Sequence, residues 1–484
     1  MGQVRRPETC HDGHDSQTGV ALDTGGEVVK TPLRTASSSV TDTVALPEDV
    51  SLRLADRLHV HALRHGQATL WNRLLLGLTL IGPGILVMLG DNDAGGVVTY
   101  MQTGARYGIG LFVPLMILLG FVAYLVQEMT IRLGAVTRRG HAELIWKRYG
   151  PFWGAFSLFD LVAANVLTLM TEFIGIRVAS AVFGWPYALT IPLGALFVVL
   201  CLVYLRYWTW ERISLLIAAF NLVFIPITLF SHPDWPAIGR SLVGGGWVMT
   251  GGLLAPAFLI LLSANIGTTI APWQLFFQQS CVVDKGLLEK DINAGRRDLM
   301  IGVIGMVLVA MALIILSGQY IHGQAGADHF SIGTMIHLLE IQLGPWIASL
   351  FALGLLEAGL IASIVITAST SWAFGEAFDI PRSLNARPRQ AWGFYAPGIV
   401  SVLIAAGVVM IHAIPLGFLN LTVQVVATIF MPAALLFLLM LLNDRELMGD
   451  EVNGPVRNTL SIGLMILLIL CNALYGLSSF HVLL

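Results

Sequence analysis

At 484 residues, with 56% apolar and only 12% charged side chains, the chain lies far outside the range of a soluble globular protein, about a quarter of whose residues are charged. It reads as an all-α integral membrane protein with the lipid bilayer as its surroundings, and a net charge of −3 without a basic stripe argues against nucleic acid as a partner. Cys10, Cys201, Cys281 and Cys471 are scattered with no CxxC pair, so they offer neither a thiolate metal site nor a legible disulfide framework.

Residues 1–65 are polar and lack an apolar core of signal-peptide length, which predicts a disordered cytoplasmic tail. Its CHDGHD stretch, with His11 and His14, is assigned no role. Beyond it, eleven apolar stretches are long enough for a membrane-crossing helix. They fall near 76–101, 109–133, 152–183, 186–206, 212–231, 246–280, 297–322, 346–373, 394–414, 416–442 and 458–481. Lys and Arg gather in alternate connections: Arg138, Arg139, Lys147 and Arg148; Arg206 and Arg212; Lys285, Lys290, Arg296 and Arg297; Arg382, Arg387 and Arg389. By the positive-inside rule these connections face the cytoplasm, placing the amino terminus inside and the carboxyl terminus outside a cell membrane. The connection 318–344, free of Lys and Arg, reads as an outer one.

Two spans are interrupted. The first contains GDNDAGGVV (90–98) and the sixth NIGTTIAPW (265–273), five spans apart. Breaks at corresponding places in two five-helix halves point to an inverted-repeat transporter with its site near the bilayer midplane. The division is then 70–232 and 243–443 for the two repeats, with one further helix at 457–484. Two acids inside an apolar span are expensive and mark a functional site by default.

These residues carry a resemblance. GPGILVMLGDNDAGGVVTYMQTGARYG (82–108) resembles the first helix of the NRAMP family of divalent metal-ion transporters, whose hallmark is DPGN. GTTIAPWQLFFQQS (267–280) resembles its second hallmark, in the sixth helix. RLGAVT (132–137), TEFIG (171–175), and the span with Gln424 and Pro432 followed by NDRELMG (443–449) add further matches, together covering about residues 70–450 in order. The resemblance implies a LeuT-like fold with broken first and sixth helices. It also implies a divalent cation as cargo rather than a resident cofactor, and a site at Asp93, position 96, the carbonyl of Thr268, position 271 and Gln424, with Thr428 one turn on.

This chain departs from that pattern. The family's asparagine position is Gly96, its methionine position Ala271 and its sixth-helix histidine position Trp273. Losing a thioether removes the soft ligand that favours later transition metals. An all-oxygen, roomier pocket suits Mg2+, which keeps several waters and binds through one or two carboxylates. The chain thus looks similar to the NRAMP-related magnesium transporters, with Mn2+ as a second cargo. Asp91 stands where the family has an aromatic residue and reads as a water-contacting acid or as a cap for the broken helix. Two third-helix acids of the proton-coupled members are Val162 and Leu169, and the ninth span (395–413) lacks their arginines. None of these replacements ionises, so transport without protons is expected.

Asn165, Thr168 and Glu172 share one helical face, open to path lining or to interhelical hydrogen bonding. Glu128 reads as an ion pair with Arg132, and Glu357 as an intramembrane acid of unassigned role. Two rival readings remain: a proton-coupled Mn2+/Fe2+ importer of the same family, and an organic-solute symporter of the same fold. An enzyme is not expected, since neither HExxH nor GxSxG occurs. Oligomeric state is not legible.

Overall fold

The computed structural model describes residues 82–244, 255–324, 332–411 and 416–483, with side chains as far as residue 474. The tail expected at 1–65 lies outside the described residues. Among those described, every regular element is helical, and ten helices are long and apolar enough to cross a membrane.

In chain order, α1 is Pro83–Gly90, α2 Ala94–Tyr107, α3 Phe112–Thr137 and α4 His141–Val182. Then come α5 at Tyr187–Tyr204, α6 at Tyr207–Phe220 and α7 at Phe224–Phe230, the last two joined by a 3-10 turn. After α8 (Trp235–Leu242) follow α9 at Pro256–Thr269, α10 at Pro272–Lys285 and α11 at Ile292–Tyr320. The chain ends with α12 at Ile332–Leu343, α13 at Pro345–Ala377, α14 at Trp392–Val409, α15 at Leu416–Leu442, α16 at Arg445–Met448 and α17 at Pro455–Leu483.

The first expected span is not one membrane-length helix but α1 and α2, separated by Asp91, Asn92 and Asp93. Asp93 is extended (φ −66°, ψ 170°) and caps α2. The second break lies at Ile270 and Ala271, two residues beyond Thr268. Ala271 precedes Pro272, whose ring pushes the residue before it out of the helical region, and it is accordingly extended (φ −109°, ψ 150°).

Two expectations change. The connection 318–344 contains a helix, α12, which an argument from missing Lys and Arg could not detect. The third span begins eleven residues early because α4 runs on from His141 through a kink at Gly150 (φ 87°), next to Pro151.

Packing follows burial. α13 lies along α4 and α14, while α11 lies along α1, α2 and α3. On α5, Leu189, Leu193, Leu196 and Leu200 stay exposed, the apolar stripe of a helix facing acyl chains. The basic connections meet at one end of the bundle. There Glu128 pairs with Arg132 (3.4 Å), Arg296 (2.6 Å) and Arg457 (3.6 Å). Lys285 pairs with Glu211 at 2.9 Å, Arg148 with Asp444 at 2.6 Å, and Glu143 with Lys147 (2.7 Å) and Arg382.

Candidate metal-ion site

The two breaks face each other, and the first supplies the charge. Asp93 caps α2, its Oδ1 accepting the Gly96 N–H at 2.5 Å. Glu172, reaching across from α4, accepts the Ala94 N–H at 2.9 Å on Oε2 and the Thr171 hydroxyl at 3.0 Å on Oε1. Both carboxylates thus satisfy orphan donors at a helix N-terminus, where the macrodipole also favours negative charge. Asn221 donates to the carbonyl of Asn92 at 2.8 Å, holding the unwound segment from the other side.

Gly96 forms the floor between the breaks. A Cβ on it would lie 2.7 Å from Thr268 Oγ1, 3.1 Å from Asp93 Oδ1 and 3.3 Å from the Asp91 carbonyl oxygen. Three oxygens therefore converge on the space that a side chain at position 96 would enter. α9 ends at Thr269, so carbonyls of its last turn lack the helical partners a continuous span would give them. Ala271 caps α10 without a side-chain hydrogen bond and is buried. Gln424 of α15 closes the site on the α2 side: a Cβ on Gly95 would meet its Nε2 at 2.2 Å, and that amide nitrogen is buried without a hydrogen-bond partner.

Asp93, Gly96 and Thr268 are thus brought together, and Gln424 lies beside the neighbouring Gly95 and Gly267. Thr428 is used differently, its hydroxyl lying 2.8 Å from the Val425 carbonyl and 3.2 Å from that of Ser263, where α15 packs on α9. Asp91 is fully buried, with Oδ1 bonded to the Gln274 side chain and Oδ2 without a partner. Of the two roles open to it, helix capping is taken by Asp93 and Glu172. Asn165 donates to Thr370 at 2.9 Å and Thr168 to the Ala164 carbonyl at 2.9 Å, so this face of α4 is engaged in hydrogen bonds. Glu357 is buried with both carboxyl oxygens unpartnered.

Sequence reasoning missed Gln274, Gln127 and Asn221. Gln127 and Asn221 lie outside the two motifs, and Gln274, though inside the second, is an amide in an apolar span that carries no signal of its partner. No cluster of three or more His, Cys, Asp or Glu able to hold a metal occurs among the described residues.

The profile of the family described as "Natural resistance-associated macrophage protein-like" matches residues 84–478, which include both breaks and every site residue. The chain belongs to the Nramp family. Among curated Nramp relatives, the "Divalent metal cation transporter MntH" of Ralstonia nicotianae is 27% identical over 81% of this chain and 88% of its own length. MntH 1 of Pseudomonas aeruginosa is 29% identical over 77% and 85%. These are names of transporters, not enzymes, in agreement with the expectation from sequence. The fold matches a crystal structure of a mutant of the Eremococcus coleocola manganese transporter with a TM-score of 0.69, at 21% identity over 82% of this chain and 86% of that one. It extends to MhsT in complex with L-phenylalanine, with a TM-score of 0.54 at 14% identity over 82% of this chain and 98% of that one.

At Trp273, Leu169 and Val162, three of the positions where this chain departs from the family pattern, the side chains pack among apolar groups. Trp273 is buried, with its ring edge-on to Phe277 at 6.0 Å and its carbonyl accepting from Ser369 at 3.1 Å. Leu169 sits in the core and Val162 packs against it.

Proposed function

We propose that this chain is a multi-pass cell-membrane transporter for divalent metal cations that carries Mg2+, and Mn2+ besides, as a partly hydrated ion by alternating access, without moving protons. The observation that carries this reading is the cradle at Gly96, where only Asp93 brings a charge and the other converging groups are neutral oxygens. With Gly96, Ala271 and Trp273 supplying neither sulfur nor imidazole, the site does not prefer later transition metals over Mg2+. The small residues Gly96 and Ala271 leave room for an ion that keeps waters, as Mg2+ does. Buried polar atoms without protein partners, Thr268 Oγ1 and Gln424 Nε2 among them, are positioned for such waters.

The energetics need no proton. A doubly charged ion crossing about 100 mV gains roughly 4.6 kcal/mol. Val162, Leu169 and Trp273 supply no ionisable group for a relay. With the basic end in the cytoplasm, a cavity of about 1,110 Å3 opens on the outer side. It is lined by the end of α4 (Arg177, Val182), the starts of α9 and α13, α12 and the start of α15.

The test is uptake into proteoliposomes carrying Mg2+-sensitive and pH-sensitive dyes. Mg2+ should enter down its gradient without acidification of the lumen, and an imposed pH gradient alone should not drive it uphill. Stoichiometric proton entry would establish the coupled Mn2+/Fe2+ importer instead, and absence of Mg2+ flux alongside Mn2+ flux would refute the magnesium assignment.

A further inference from the structure

Asp91 and Asp93 lie on opposite flanks of the first break. Asp93 opens α2, whereas Asp91 closes α1, and α1 begins at the basic end of the bundle: its first turn donates from Gly82 and Gly84 to Asp298 at 3.0 and 2.6 Å. From Asp91 a buried polar seam continues towards that end between α10 and α3. Asp91 Oδ1 accepts from Gln274 Nε2, and Gln274 Oε1 accepts from Gln127 Nε2 at 3.2 Å. Thr130 lies 3.3 Å from Gln278 Oε1, and Gln279 meets His141 Nδ1 at 2.9 Å and donates to the Arg139 carbonyl at 2.9 Å. Gln274 and Gln278 are four residues apart on α10, and Gln127 and Thr130 three apart on α3, so each pair shares a helical face.

A ladder of this kind holds two helices together without a charged partner for Asp91, and a carboxylate at its head is then a burden. Asp91 is wholly buried, its Oδ2 has no partner, and no ion pair joins it to a basic side chain among the described residues. Buried charges are tolerated when they are paired or coordinate metal. Asp91 and Asp93 together carry the two charges that one divalent cation neutralises.

We propose that Asp91 is a second, exit-side station for the divalent cation. The hydrated ion moves there from Asp93 when α1 and α10 part from α3, and the freed Gln274 and Gln127 carbonyls then receive its waters. This inference rests on the transport reading above and adds to it an order of events, Asp93 first and Asp91 second.

Asp91→Asn tests it, because the amide keeps the shape and an acceptor for Gln274 while removing the charge. In proteoliposomes the variant should bind external Mg2+ with a KM within about threefold of the parent while its maximal uptake rate falls about tenfold or more, since a charged partner for the leaving ion is gone. A rate equal to the parent's would overturn the assignment. So would a raised KM at unchanged maximal rate, which would place Asp91 in the entry site. Failure of the parent chain to move Mg2+ or Mn2+ at all would instead strike the transport reading. A measurement on the unmutated protein covers the case in which the variant does not fold: anomalous scattering from Mn2+ in an inward-open crystal should place an ion beside the Asp91 carboxylate, and Mn2+ density at Asp93 alone in that state would refute the proposal.

Discussion

The two breaks hold equivalent places in the two halves of the molecule yet are finished by different chemistry. The first is charged and over-determined: Asp93 and Glu172 cap α2, and Asn221 holds the carbonyl of Asn92. The second carries no charged residue. Proline opens α10, no side chain caps it, and the Tyr100 hydroxyl lies 3.4 Å from Thr269. One half thus fixes a charge in position and the other supplies neutral oxygens. In the function proposed above, affinity resides in the first break and preference among ions in what the second leaves out.

Three substitutions would break or sharpen that contrast. The largest effect is expected from Asp93→Ala, which leaves carbonyls and waters to hold a divalent ion without the anionic ligand that caps α2. Protein of normal monodispersity should lose Mg2+ uptake by about a hundredfold or more, and near-normal flux would end the assignment of Asp93 as the ion's carboxylate. Next comes Gly96→Ala. The added methyl would stand 2.7 Å from Thr268 Oγ1, closer than packing tolerates, so the two breaks must move apart or water must leave. A fall of roughly tenfold in uptake, as overpacking by 1–3 kcal/mol implies, should appear at Asp93's own site with Asp93 intact. Uptake equal to the parent's would show that this space is not used. Smallest should be Ala271→Met, which places a thioether at the second break. Uptake in mixtures of the two metals should shift towards Mn2+ by about threefold to tenfold, with Mg2+ flux largely kept. No shift would mean that position 271 does not see the ion.

Much of this was legible in the sequence because the charged break is a local motif: Asp93, Gly96 and their spacing occupy four consecutive residues. The uncharged break was legible too, though less sharply. The stretch 265–273 contains it, and the steric rule for residues before proline narrows it to Ile270 and Ala271. What could not be read is whatever depends on distant partners. Nothing in TEFIG says that Glu172 caps Ala94 from another helix, and nothing near Asp91 announces Gln274, 183 residues away. α12 escaped notice for another reason. A rule based on missing Lys and Arg locates a side of the membrane, not the conformation of the chain there.

α1 has a mechanical consequence. At eight residues and 1.5 Å per residue it is a rod of about 12 Å, under half of the roughly 30 Å apolar slab. In the movement proposed above, the grip of Asp298 at one tip of α1 and that of Gln127 on Gln274 of α10 are released, while full-length neighbours such as α3 and α5 stay seated among the lipids. The proposed stroke is therefore confined to two short pieces, α1 and the 14-residue α10, inside a stationary frame, where viscous drag from the acyl chains and the work of deforming them are small. Anchorage and motion fall to different pieces of the same polypeptide.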